Sequence, residues 1–512
     1  MANYSSYRHQ SYDLGLINTS SRREVPRGGA SVLENWDITF KGRLTTRKGL
    51  IQYGDTLDNT AGRLGFYKKD DGNNYLLTHQ DTDLMYLNGS TWTNIDTSMT
   101  AENLSFQDVD PVNKIYLSSE NNPLAHWDGS TYTELAASIP HGNKIIWYQN
   151  HMFTLNNVNI SGTKYKNRMY ISNFGDPDIW TTGTDFVQLQ GLGDAVTAEI
   201  LGDSLVIFKD NSYSFLSGYG LSSWVLSGST NPLTNIDNSV GCPAVRGVVR
   251  VSQNELWFID QKGQIRRLGQ TDYGYSSKVM SNNIQGTIDT INYAYLSNAV
   301  AWFDDEKVYF AIPTGSSTEN NTVLVYDLKA HARTGKEAWT TYTGWIVSDM
   351  ISFPVSSNPE LIVAGGSNDK IYRHSGTDDD GTDIACRWDS GLDDYDKPER
   401  YKKYAYGYIN SANQGDIDVD IWASIDGLSF GKVGTFNMQG SGSTLGPTGN
   451  ATMGPTGSFI LGGGEDLEYK YYFYDGGGAI TGKTLVMSIR YTGDASAYIY
   501  TFTNHYQERS LK

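Results

Sequence analysis

LMYLNGSTWTNID at Leu84–Asp96 and LAHWDGSTYTELA at Leu124–Ala136 are two copies of one pattern. Asn88-Gly89-Ser90-Thr91-Trp92-Thr93 returns as Asp128-Gly129-Ser130-Thr131-Tyr132-Thr133, displaced by 40 residues. A Gly turn between an aromatic-bearing strand and a Thr/aromatic strand predicts a β-hairpin. A period of about 40 residues filled with short strands is the length of one four-stranded propeller blade. The pair therefore predicts an all-β fold organised as a β-propeller.

Working outward, one unit covers 60–98 and the next 102–138. A third runs from Lys144-Ile-Ile-Trp-Tyr to Trp180, and a fourth holds Val196–Phe208 and Ser212–Leu216. Weaker echoes follow at 255–268, 299–327 and 350–373, giving about five to seven blades, with 269–298 breaking the pattern as an insertion. Alternation at period two dominates, and few windows place apolar residues at helical spacing. Beyond the polar stretch His374–Asp383, the segments 384–388, 402–409, 416–425 and 467–474 alternate like sandwich strands around a Gly/Ser/Thr/Pro-rich loop at about 438–465. The expected organisation is an N-terminal arm with a possible ring-closing strand (1–58), a propeller (59–378) and a C-terminal β-sandwich-like domain (379–512).

At 512 residues the chain exceeds one ordinary core. Its 40 Lys+Arg against 57 Asp+Glu leave a formal charge of -17, which argues against a protein that grips nucleic acid through clustered cations. A wall past which nucleic acid slides remains compatible with that charge, because like charges repel. Cys242 and Cys386 are the only cysteines, so no disulfide framework is expected. No apolar run approaches a membrane span, and the opening MANYSSYRHQSYDLG has no apolar signal core, so assembly in a cytoplasm is the expectation. The Asn-x-Ser matches at Asn88 and Asn159 are accordingly read as chance.

Cations concentrate in three places. Arg22, Arg23 and Arg27 lie in the polar opening; Arg43, Arg47 and Lys48 form a basic patch in an acidic chain; Arg400, Lys402 and Lys403 follow Asp393, Asp394, Asp396 and Glu399. Each group reads either as an assembly contact for a carboxylate-rich neighbour or as ordinary solvated surface. Catalytic signals are weak. Asp378–Asp383 lacks the ligand spacing of an EF-hand, the eight histidines form no HExxH, and no G-x-S-x-G elbow occurs. Gly482-Lys483-Thr484 lacks the rest of a phosphate loop. Ser424–Phe430 approaches the Asp-box hairpin of sialidase-like propellers but is one residue short and does not repeat. A non-enzyme without catalytic residues, cofactor or metal is expected. Aromatic residues spread at strand periodicity favour packing, with glycan stacking as the competing use.

The stretch GGASVLENWDITFKGRLTTRKGL, Gly28–Leu50, resembles the entry segment of bacteriophage tail-nozzle and packaged-DNA-stabilisation proteins. RMYISNFGDPDIW (168–180), ILGDSLVIFKDNSYSFL (200–216) and WDSGLDDYDKPERYKKYAYGYI (388–409) extend the resemblance over most of the chain in short segments. It implies a propeller-bearing structural virion protein repeated around the tail axis, commonly as a homohexamer, that prolongs the DNA channel and retains packaged genome until ejection. Implied partners are further copies of the chain, tail adaptor or portal-proximal proteins, tail fibres or spikes, and double-stranded DNA in passage. The implied location is the virion tail, after assembly in the bacterial host cytoplasm. The chain is shorter than the large nozzles of some short-tailed phages, so an accessory or distal tail component is an alternative placement. The competing function is a peripheral adhesin that binds host-surface glycans.

Overall fold

Both copies of the repeat are hairpins, but their turns differ. In the computed structural model, which describes residues 4–19, 21–224, 232–271, 274–304, 306–439, 466–475 and 478–509, strands Asp83–Asn88 and Thr91–Asp96 pair with Thr91 opposite Asn88. Only Gly89 and Ser90 intervene, and Gly89 takes φ 67°, the positive value that a II′ turn asks of its first central residue. In the second copy, Ala125–Trp127 and Tyr132–Glu134 register Trp127 against Tyr132, leaving a four-residue loop. There Asp128 Oδ1 accepts from Ser130 N, Ser130 Oγ and Thr131 N at 2.7–2.8 Å. These donors, the Thr131 amide first, hold the Asp128 carboxyl down to about 2.

Each hairpin completes a four-stranded antiparallel meander: Leu64–Lys68, Asn74–Gln80, Asp83–Asn88 and Thr91–Asp96 in one, and Ser105–Val109, Lys114–Ser118, Ala125–Trp127 and Tyr132–Glu134 in the next. The repeat also builds the joint between them. Trp127 of the second meander packs its ring 5.0 Å from Tyr75 and Tyr86 of the first, and Tyr67 Oη donates to the Asn113 carbonyl at 2.7 Å. Gly65 permits the close approach, since a Cβ there would lie 2.7 Å from the Phe106 ring. Further sheets are built on Lys144–Tyr148, Ala195–Leu201 and Val248–Ser252. Residues 269–298, expected as an insertion, contain the strand Gly274–Val279 of that last sheet and then short helical turns.

Two larger sheets depart from the repeat. A thirteen-stranded sheet runs from Val300–Asp304 through Lys307–Ile312, Asn320–Asp327 and Trp339–Val355 to Gly29–Glu34, Ile384–Ser390, Leu485–Gly493, Asp418–Ile425 and Gly431–Asn437. The long strand Trp339–Val355 serves two ladders: its first half pairs with Asn320–Asp327 and its second with Asn358–Gly365, beyond which Ile371–His374 pairs with Leu50–Gln52. A seven-stranded sheet joins Trp36–Ile38, Leu44–Thr46, Tyr498–Arg509, Tyr401–Ala412 and Asp466–Tyr472, with Ser5–His9 and Thr481–Gly482 added. The loop at 440–465 lies outside the described residues.

The expected β-propeller with an N-terminal arm and a C-terminal β-sandwich-like domain is therefore corrected. The chain is all-β, but its strands lie in open, mainly antiparallel sheets, the thirteen-stranded one mixed by two parallel pairings of Gly29–Glu34, and among the described residues none closes on itself. A 40-residue period counts the strands of one meander; it carries no information on ring closure. Nor is the opening segment a free arm, because its strands enter both large sheets.

One extensive core joins these sheets, with Trp36, Trp257, Trp339 and Trp388 buried in it. His9 lies in that core, stacked 4.8 Å from Phe502 and edge-on to Trp388 at 5.2 Å. Burial pushes its imidazole down to about 4. A histidine whose folded pKa lies below its unfolded 6.5 contributes stability that is complete above pH 6.5 and lost as the pH falls toward 4. His9→Phe, which keeps a ring in place, is expected to flatten unfolding free energy against pH by about 1.4 kcal/mol per pH unit in that window. Urea titrations at stepped pH test this; parallel wild-type and variant profiles would refute it.

Candidate functional site

The Gly28–Leu50 segment is pinned by two residues. Asn35 takes a left-handed φ of 57°, which asparagine tolerates, between Gly29–Glu34 of the thirteen-stranded sheet and Trp36–Ile38 of the seven-stranded one. Its amide nitrogen donates to Thr343 Oγ1 and the Ala385 carbonyl, while its Oδ1 accepts from Thr343 N and Arg47 Nε at 2.8–2.9 Å. Arg47 is the second pin. Its side chain has 0% exposure and forms a bidentate pair with Asp379, Nη1 to Oδ1 at 2.8 Å and Nη2 to Oδ2 at 2.5 Å. Nη1 also donates to the Lys48 carbonyl and Nη2 to that of Thr343. The guanidinium lies 5.0 Å from the Trp345 ring centre, adding a cation–π contact.

The other expected assembly residues divide by how far the fold engages them. Arg22 sits 3.6 Å from the buried Asp389 and 5.7 Å from the Phe430 ring centre. Arg27 pairs with Asp396 at 2.9 Å and covers the Tyr7 ring. Arg43 covers the Tyr500 ring at 3.8 Å, and Arg400 lies 3.7 Å from its exposed neighbour Glu399. Lys402 is buried, its ammonium donating to the carbonyls of Lys397, Arg400 and Lys483 at 2.7–3.1 Å. Burial lowers its pKa. Arg23 and Lys48 are exposed and Lys403 is half-buried. Arg23 and Arg27 line a cavity of about 210 Å³ where the opening segment crosses the Gly391–Asp396 turn. The acidic run at 378–383 is occupied within the chain, with Asp379 on Arg47, Asp380 taking Lys370 Nζ at 2.6 Å and Asp378 accepting from Gly381 N. Among the described residues no group of three His, Cys, Asp or Glu is arranged to hold a metal ion.

A second polar site was not anticipated. Arg63, Lys144, Arg246 and Asp349 arrive from four sheets, each at or just before a strand with a largely apolar run: Leu64–Lys68, Lys144–Tyr148, Val248–Ser252 and the second half of Trp339–Val355. A charge placed immediately ahead of an apolar run is the only sequence signal they share. Asp349, fully buried, accepts from Arg246 Nε and Leu64 N at 2.9 Å and lies 3.8 Å from Arg63. Burial lowers the Arg63 guanidinium to about 10, which leaves it charged at neutral pH. Lys144 is lowered chiefly by burial; Arg246 and Arg63 add to the effect, and Glu199 and Asp349 oppose it. The four residues border a cavity of about 270 Å³.

No family model matches the chain, and no curated protein matches it. Among solved structures it is similar to the C-terminal WD40 domain of Sif2, at 14% identity and TM-score 0.37 over 65% of this chain and 88% of that one. It is also similar to YCF48 bound to D1 peptide, at 13% identity and TM-score 0.37 over 64% and 97%. A third likeness, to Saccharomyces cerevisiae Sqt1, has 8% identity and TM-score 0.39 over 64% and 99%. At TM-scores below 0.5 these likenesses carry no argument about fold or function.

Removing one member of a buried ion pair strands the other, at a cost of about 3–5 kcal/mol. Arg47→Ala is expected to destabilise the chain by about that amount, whereas Lys48→Ala one residue away stays within about 0.5 kcal/mol of wild type. Urea midpoints of the two variants make the comparison, and equal midpoints would remove Arg47 from its role as a pin.

Proposed function

We propose that this chain is a non-catalytic structural protein of a bacteriophage tail, repeated around the tail axis in a ring or nozzle that extends the DNA channel, helps retain the packaged genome and anchors fibres. The observation that carries the reading is Gly28–Leu50. The stretch resembling the entry segment of tail-nozzle and packaged-DNA-stabilisation proteins is also the stretch that stitches the two large sheets together through Asn35 and Arg47. A motif with that placement serves the integrity of a subunit, as a repeated structural protein under load requires.

The charge balance supports the same reading. A formal charge of -17 disfavours tight adhesion of a polyanion, which needs many exposed cations to release its counterions. The exposed Arg23 and Lys48, together with Lys403, offer contacts for acidic neighbours such as a second copy, an adaptor or a fibre protein. Closed cyclic symmetry, six-fold by the family resemblance, would place these contacts identically on every copy.

Cryo-electron microscopy of intact virions tests the proposal through position and copy number. Six copies around the tail axis are expected; copies confined to peripheral fibre tips would overturn it in favour of a host-surface adhesin.

A further inference from the structure

The cavity of about 270 Å³ bordered by Arg63, Lys144, Arg246 and Asp349 has an uneven charge balance. Three cations face it. Asp349 answers two of them: one oxygen accepts from Arg246 and lies 3.8 Å from Arg63, and the other is taken by the Leu64 amide. Glu102 also borders the space, but its carboxylate is turned to the 119–122 turn, accepting from Ser119 Oγ, Asn121 N and Nδ2, and Asn122 Nδ2. Glu199 acts on Lys144 from the adjoining sheet without bordering the cavity. Among the described residues the Lys144 ammonium has no hydrogen-bond acceptor, although two guanidinium groups press on it. Cations gathered at one cavity repel one another, and an anion placed among them offsets that repulsion.

We propose that this cavity binds one small oxyanion, of the phosphate or carboxylate class, on the Lys144 ammonium and on the guanidinium donors of Arg63 and Arg246 that Asp349 and the carbonyls of Ser348 and Met350 do not take. The volume suits such a ligand, since a water molecule takes roughly 30 Å³ and the space holds several. Arg246 keeps 27% of its side chain exposed, so the cavity is open to solvent. The chemistry fits, because each guanidinium presents a fork of donors and the ammonium a point charge with three. Bound there, the anion adds a bridge between sheets already joined through Asp349, and it ties their packing to solution composition. The inference does not depend on the tail assignment.

Thermal denaturation of the full chain at constant ionic strength tests it, with inorganic phosphate, acetate or chloride as the varied anion, supported by calorimetric titration. Phosphate or acetate is expected to give a saturable rise in Tm over chloride with one site per chain, and the more effective of the two identifies the ligand geometry preferred. Lys144→Met and Lys144→Gln are expected to keep the anion-free Tm and weaken binding at least tenfold, while Lys144→Arg retains it. Lys403→Met, remote from the cavity, leaves it unchanged. Wild-type protein with no saturable response to either oxyanion overturns the proposal, as does an undiminished response in both neutral variants. The wild-type titration stands if one of those variants does not fold.

Discussion

A guanidinium with no exposed surface is the constraint on which the two large sheets depend. Arg47 leaves water only because Asn35, Lys48, Thr343 and Asp379 together meet its donors. Such a group is costly to bury and more costly to leave half-paired. Its partners lie up to 332 residues away in sequence, so the opening segment reaches its final place only when the strand carrying Thr343 and the turn carrying Asp379 are formed. Thr343 sits in Trp339–Val355, the strand shared by two ladders. The pin thus acts where one sheet direction gives way to another, and Asn35 supplies the left-handed step that lets the chain pass between sheets. Contacts this distant make the topology slow to form, since loop-closure entropy is lost before the contacts that offset it are made.

The same arrangement separates what was legible in the sequence from what was not. The hairpins at Leu84–Asp96 and Leu124–Ala136 were readable because their determinants are local: a glycine at a positive φ, alternating side chains and a capping Asp. The difference between their turns was not, because Asn88 and Asp128 occupy the same place in the pattern and only strand register distinguishes them. Sheet assembly was less legible still. Gly29–Glu34 pairs with Ile384–Ser390 across more than half the chain, and no local signal names a partner at that distance. Reading the 40-residue period as a propeller blade carried a local regularity into a global closure that the sheets do not make. Among the candidate cations, Arg47 and Lys402 looked like surface because lysine and arginine are seldom buried. Their partners, a carboxylate 332 residues away and three backbone carbonyls, are invisible in sequence. Arg63, Lys144 and Asp349 escaped attention as single charges in front of apolar runs.

The inward placement of these cations sharpens the meaning of the net charge. Arg47 pairs with Asp379, Arg63 and Arg246 share Asp349, and Lys307 pairs with Asp37 at 2.7 Å. Lys402 spends its donors on carbonyls. Each such residue is counted among the 40 basic side chains yet is withdrawn from contact with an external polyanion. Internal ion pairs cancel in the sum, so the imbalance of -17 is carried by the remaining, mostly solvated groups. Phosphate binding grows with the number of cations that can displace counterions together, and this fold lowers that number below what composition suggests. By that measure the internal pairs disfavour tight binding of a polyanion. Of the cations in the basic clusters, Arg23 and Lys48 carry their charge into solvent.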